Sequence, residues 1–453
     1  MLSAEFLSRV QFGFTIAFHI LFPAFSIGLA TFLAVMEGVW LKTKNPLYLN
    51  ICKFWMKIFA LTFGMGVVSG IVMEFQLGTN WSQFTDSVGA VLGSLFTYEV
   101  LTAFFIEAGF LGVMLFGWNK VGPKLHYLAT LLVFLGVTVS AFWILSANSW
   151  MQTPAGATIK NGHFIVQSWW QVIFNPSTIP RFIHMLLAAY LTTLLVISGV
   201  SAFYLLKQEH LVLAKKCFSI ATLTILPLIC IQIFMGDTVG LVIEKYQPIK
   251  TAAMEANWNT QPGAPLILIG WPNETTETNE FTISIPHLAS VLNTHEWNGV
   301  LTGLTSVPAK DRPYVPIVFF SFRIMVGLGL LMLLMSAIAI YLRFKNRLYN
   351  SPWYHKTCIL LAPTGFIALI TGWFTAETGR QPWVVYNMIR TADAASGVSM
   401  HNVSISLILI FLVYGVIFGF FYFLYFGKIV RKGPDISDEP KMPFIYMHPE
   451  VKK

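Results

Sequence analysis

Nine apolar runs, each long enough to cross a hydrocarbon layer as a helix, constrain this chain more than any motif in it. A bilayer core about 30 Å thick takes about 20 helical residues. Runs of that length fall at about 12–40, 51–75, 94–118, 125–147, 182–206, 217–243, 317–342, 357–376 and 402–427. Lipid offers no partner to a free backbone N–H or C=O, so each run must satisfy its own polar groups as a helix. The expected fold is an all-α polytopic membrane protein of about nine transmembrane helices. Composition agrees, since 11% of the 453 residues are charged and 55% are apolar, against roughly 25% charged in soluble domains. A soluble enzyme is excluded. The net charge of +8 is spread between long uncharged runs and lacks the clustered basic face that a nucleic acid requires, so the expected surroundings are a lipid bilayer and no nucleic acid.

The first run follows Glu5 and Arg9, is too long for a signal-peptide core, and reads as a retained helix. Cys52, Cys217, Cys230 and Cys358 form no CxxC pair and read as ordinary membrane-helix residues. An odd number of spans puts the termini on opposite sides. Connections sharing a side with the C-terminus, together with the tail, carry nineteen Lys and Arg, the other side nine; the positive-inside rule therefore places the N-terminus outside and the C-terminus in the cytoplasm. The expected division is 1–243 (six spans), 244–316 (an external connection), 317–430 (three spans) and 431–453 (a cytoplasmic tail). The long connection is net acidic, and its Pro and Gly content argues against a compact domain; connections of this length are usually functional or disordered.

Ionisable side chains inside a span are costly and are functional candidates by default. They are His19, Glu74, Glu99, Glu107, His184, Asp237, Arg323 and Glu377. Counting residues from the outer ends puts His19, Glu99, His184, Arg323, Met325 and Glu377 towards the outer side, a set that suits axial positions for redox metal centres; histidine with methionine is the usual pair on a low-spin haem. The bland reading of each is a helix-to-helix hydrogen bond. Glu99 and Glu107, eight residues apart, fall about 80° apart on an α-helix and about 12 Å along its axis, which suits two stations of a proton path or two carboxylates bonded to neighbouring helices. Glu74 and Asp237 read as facing interfacial water.

Several segments carry a resemblance: AFHILFPAFSIG around His19, MEFQLGTNW at 73–81, FTYEVLTAFFIEAGFLG around Glu99 and Glu107, RFIHM at 181–185, SFRIMVG at 321–327 and GWFTAETGRQPW at 372–383. Together they resemble subunit I of the cytochrome bd-type quinol oxidases, through all nine spans. The resemblance implies a respiratory enzyme that oxidises membrane quinol at the outer face and reduces dioxygen to water, building proton motive force by vectorial proton uptake without pumping. It implies His184 and Met325 as ligands of a low-spin haem b, His19 as ligand of one high-spin haem, Glu377 as the carboxylate of the second, and Glu99 on the distal side of the His19 haem. Glu107 matches the deeper carboxylate of the proton route, Arg323 and Arg380 match arginines beside haems, and Trp373 a tryptophan between redox centres. KTAAMEANW at 250–258 matches the quinol-loop segment in which Lys250 and Glu255 act; by spacing alone those two read as a solvated i,i+5 pair.

The cofactors implied are two haem b and one haem d, or a third haem b in its place. The partners implied are subunit II, optionally a small single-helix accessory subunit, and the substrates quinol and dioxygen. The location implied is the bacterial cytoplasmic (inner) membrane. The loop resembles the short class, and GWPNETTETN is similar to the cyanide-insensitive branch. Two other readings stay open on the residues alone: a proton-coupled secondary transporter relaying through Glu99, Glu107 and Asp237, and a b-type cytochrome that oxidises quinol without reducing oxygen.

Overall fold

The computed structural model describes residues 3–434, so the expected tail at 431–453 lies almost wholly outside the described residues. Among the described residues nine helical segments are long and apolar enough to cross a membrane. In chain order, spans one to nine are Ala4–Thr43, Pro46–Asn80, Ser82–Phe116, Pro123–Gln152, Trp169–Lys207, Leu211–Tyr246, Val315–Phe344, Pro352–Thr378 and Met400–Lys432. Each begins before its apolar run, and all but span three, which stops at Phe116, continue past it, because hydropathy marks only the part suited to hydrocarbon whereas a helix continues to its cap. Span one starts at Ala4, where the Ser3 hydroxyl accepts from the Phe6 N–H at 3.1 Å, and Arg9 lies inside it, 3.9 Å from Glu5. Span two starts at Pro46 behind an Asn45 cap, and only Trp81 separates spans two and three.

Breaks inside spans have local causes. Span one divides after His19, because Pro23 has no N–H to offer the His19 carbonyl one turn back. Pro363 divides span eight into Pro352–Leu361 and Thr364–Thr378. Span three contains two π-helical segments, Gly89–Gly93 and Val100–Phe104. Span five is the most enclosed span, whereas spans three, seven and nine present most of their apolar side chains outward, as lipid-facing helices do. The main apolar core joins spans one, two, five and six around Phe25, Phe54, Trp55, Ile197 and Phe218.

The connection between spans six and seven corrects the expectation from its composition. It folds into a helix Pro248–Glu255, an antiparallel hairpin of Leu266–Asn273 with Thr278–Ile285, a second helix Leu288–Thr294 and a short strand pair. Its Pro and Gly residues serve turns and strand ends instead of disorder. Ala252, Ala253, Met254 and Trp258 pack on Val315, Val318 and Phe319 at the start of span seven, anchoring the loop on the bundle. Short hairpins also occur between spans four and five and between spans eight and nine, so the all-α architecture carries small β elements in its connections.

Candidate functional site

A cavity of about 2080 Å³ runs through the bundle, larger than the roughly 300–1,000 Å³ of a single small-molecule site. His19, Glu99, Glu107, His184, Lys250, Glu255, Arg323, Met325, Trp373, Glu377 and Arg380 all line it. Residues drawn from five spans, one loop helix and the segment just after span eight therefore converge on one space.

His19 sits at the break that Pro23 imposes. The Ser69 hydroxyl donates to the Met65 carbonyl at 2.8 Å and lies 2.9 Å from His19 Nδ1. Ser69 spends its proton on the carbonyl, so Nδ1 carries the hydrogen and Nε2 keeps a free lone pair, the tautomer of a metal-ligating histidine. His184 Nε2 lies 3.3 Å from the Gln232 side-chain nitrogen, while His184 Nδ1 and Gln232 Oε1 are buried without a protein partner. Met325 packs so closely on span eight that a Cβ on Gly372 would stand 2.7 Å from its sulfur. Among the described residues no group of three or more His, Cys, Asp or Glu side chains is arranged to hold a bare metal ion. Isolated donors on separate helices around a large cavity suit iron that arrives with its own equatorial nitrogens, as in haem.

Around Glu377 the fold buries an excess of positive charge. Arg380 Nη2 donates to Glu377 Oε2 at 2.5 Å, and Asn148 and Gln152 donate to Oε1 at 3.0 and 3.1 Å. Arg181, 4.0 Å from the same carboxylate, bonds Asn148 and Ser149. Lys250 Nζ donates to Gln152 Oε1 at 2.5 Å and Gln247 Oε1 at 2.6 Å. Two arginines thus face one carboxylate, with Lys250 one glutamine away, and Arg380 Nε and Nη1, both buried, have no protein acceptor. Uncompensated buried charge costs several kcal/mol, so this cradle fits an anionic group such as haem propionates. Burial, then the positive Arg181 nearby, holds the Lys250 ammonium well below the usual lysine pKa.

The solvated Lys250–Glu255 pair does not form: both residues are buried, at 2% and 3% exposure, with separate partners. Glu255 Oε2 accepts from Arg323 Nη2 at 2.7 Å and Oε1 from Asn293 at 3.3 Å. The Arg323 guanidinium also donates to the Ile267 carbonyl and lies over the rings of Phe319 and Phe322. Loop residue Glu255 is therefore bonded to an arginine two residues from Met325. Asp237 lies 3.2 Å from His295 of the loop, and Glu74 is exposed and lines the cavity.

Glu99 accepts from Ser140 at 2.7 Å. Glu107 is 6% exposed with Oε1 unpartnered, and a Cβ on Gly136 would stand 2.6 Å from its Cγ. The 80° separation expected of an unbroken α-helix is corrected by the π segment Val100–Phe104 between them. One inserted residue turns the helix back by about 100°, bringing both carboxylates within about 20° of one face. Sequence reasoning passed over Glu37, His126 and Arg181, which stand as ionisable residues in or beside apolar runs, and Asn148, Gln152, Gln232 and Gln247, whose polar but uncharged side chains give no comparable signal.

A family model described as cytochrome bd terminal oxidase subunit I matches residues 7–434. Cytochrome bd ubiquinol oxidase subunit 1 of Bacillus subtilis (strain 168) is 36% identical over 452 residues, covering 96% of each chain. Cytochrome bd-II ubiquinol oxidase subunit 1 of Escherichia coli (strain K12) is 33% identical over 472 residues, covering 89% of this chain and 92% of that one. Among solved structures, bd oxidase from Geobacillus thermodenitrificans superposes with a TM-score of 0.89 at 28% identity, covering 95% of this chain and 99% of the other.

Proposed function

The chain belongs to the cytochrome bd terminal oxidase subunit I family and is a multi-pass subunit of a terminal quinol:oxygen oxidoreductase, and from that premise we propose how its residues divide the work. The family uses haem, a second membrane subunit and a membrane quinol. The haems, when bound, supply one-electron transfer and the place where dioxygen receives electrons. His184 and Met325 would hold the low-spin haem b, which would supply electron transfer. His19 would hold one high-spin haem and Glu377 the second, where dioxygen chemistry would take place, with Glu99 beside the first. The set is two haem b and one haem d, or a third haem b. Arg380, Arg181 and Lys250 neutralise propionate charge, Arg323 fixes the loop beside the Met325 helix, and Trp373 stands between redox centres.

The 244–316 connection is the quinol-binding loop and faces outside, with the N-terminus, while the C-terminus is cytoplasmic and the membrane is the bacterial inner membrane. The six-span and three-span divisions on either side of the loop carry the haem ligands. Lys250 and Glu255 bind quinol and take part in its deprotonation. Each quinol gives up two electrons and two protons, so two quinols supply the four electrons for one dioxygen. The four protons that make two waters enter from the cytoplasm through Glu107 to Glu99. Protons leave on one side and are consumed from the other, which separates charge without a pump. Subunit II completes the assembly, with or without a small single-helix accessory subunit.

The observation that carries this reading is the convergence of all eleven residues on one cavity. The test is the purified two-subunit protein. Dithionite-reduced haem bands with quinol-dependent oxygen consumption are expected, and pyridine haemochrome analysis gives the haem set. Absence of haem would favour a proton-coupled transporter, and quinol oxidation without oxygen consumption would favour a b-type cytochrome.

A further inference from the structure

Outside the cavity, among the described residues, Glu37 of span one and His126 of span four form a completely buried ionisable pair, at 0% and 1% exposure. His126 Nδ1 lies 2.6 Å from Glu37 Oε1, and Nε2 lies 3.1 Å from the Met114 carbonyl of span three. Thr130 donates to Glu37 Oε2 at 2.7 Å. A carbonyl can only accept, so Nε2 carries a hydrogen. The short Nδ1–Oε1 contact then needs a second hydrogen between the two atoms, on one or the other. The pair therefore holds one exchangeable proton. Trp118, in the turn between spans three and four, stacks on the imidazole at 3.8 Å and covers it from the end of the bundle.

The pair also lies on the line of the two carboxylates. Met114 is seven residues beyond Glu107 in the helix Phe105–Phe116, which returns it to within about 20° of the same face and about 10 Å further along. On span four, His126, Thr130, Gly136 and Ser140 fall within about 120° of one another, and they bond Glu37, bond Glu37, accommodate Glu107 and bond Glu99 respectively. The seam between spans three and four thus carries three polar stations roughly 6–12 Å apart along the two helices. Gaps of that size are bridged by short chains of water, which polar buried sites retain.

We propose that the Glu37–His126 pair is the inner station of the proton route that continues through Glu107 to Glu99. The proposal rests on the reading of those two carboxylates as a proton route. A proton entering past Trp118 loads the pair, and the proton already held passes towards Glu107, so the pair is unchanged after each transfer. This chain then supplies the inner stretch of the route from its own spans one, three and four.

The test uses the haem-loaded two-subunit oxidase, with proton uptake during the oxygen reaction followed by a pH dye. Glu37→Gln keeps hydrogen-bonding atoms towards Thr130 and His126 but cannot pass a proton, so a purely structural pair would tolerate it. Uptake is expected to slow about tenfold or more, with haem content and anaerobic haem reduction by quinol unchanged. His126→Gln is expected to slow uptake equally, and normal uptake in it overturns the proposal whatever Glu37→Gln does. Uptake within twofold of wild type in Glu37→Gln, beside slowed uptake in Glu107→Gln, overturns this inference alone. Normal uptake in all three variants overturns the Glu107–Glu99 route with it.

Discussion

Gly372→Ala tests the Met325 assignment through a single methyl group. The added Cβ would stand 2.7 Å from the Met325 sulfur, with the next Met325 atom at 3.7 Å. Non-bonded atoms settle at about 3.5–4.0 Å, so the thioether must retreat by about 1 Å. Overpacking of this kind costs about 1–3 kcal/mol, which leaves the bundle folded. A 1 Å retreat is a large fraction of a metal–ligand bond, so the axial position is weakened or lost. The expected result is a diminished low-spin band and a lower midpoint potential, because methionine ligation raises the potential, while the high-spin bands persist. Reduced-minus-oxidised spectra with a redox titration read both. Gly112→Ala is the control, since a Cβ there meets nothing within 4 Å. An unaltered low-spin band and potential in Gly372→Ala would refute the argument that Met325 is held as a ligand by this contact.

Two further predictions concern the quinol loop. Because burial and Arg181 depress the Lys250 pKa, the ammonium is lost as pH rises through a value below the usual lysine range. Quinol KM should therefore rise on alkalinisation in wild type and rise less in Lys250→Arg, whose charge persists; identical KM profiles would count against a role for the ammonium. Glu255→Gln removes one partner of a buried ion pair, a loss of about 3–5 kcal/mol, and should lower the thermal unfolding temperature and raise quinol KM together. An unchanged unfolding temperature would mean that the Arg323–Glu255 contact does not hold the loop.

Which parts of this molecule could be read from its residues follows from the physics of each signal. Hydrocarbon thickness makes a span visible as a run of apolar residues, so nine spans were legible and their polar ends were not. His19, Glu99, Glu107, His184 and Glu377 were legible because a charge or imidazole stands out against such a run. Glu37 and His126 stand out equally against their runs, but neither lies in a segment that carries the family resemblance. The alignment of Glu99 with Glu107 depends on a π insertion, which no residue type specifies. The glutamines around Lys250 and His184 are uncharged, and their role emerges only when three helices and a loop meet. In the loop, alternation in TNEFTISI and the turn residues of PNETT were local signs of the hairpin, and overall Pro and Gly content pointed the other way.

In the proposed division of labour, electron entry depends on His184 and Met325 holding one haem from separate helices. His184→Ala in the assembled oxidase is the direct measurement, read as a reduced-minus-oxidised spectrum with the total haem content determined in parallel. Loss of the low-spin signature with the high-spin bands retained is the predicted result. A folded, assembled His184→Ala protein that keeps the full low-spin spectrum would contradict it.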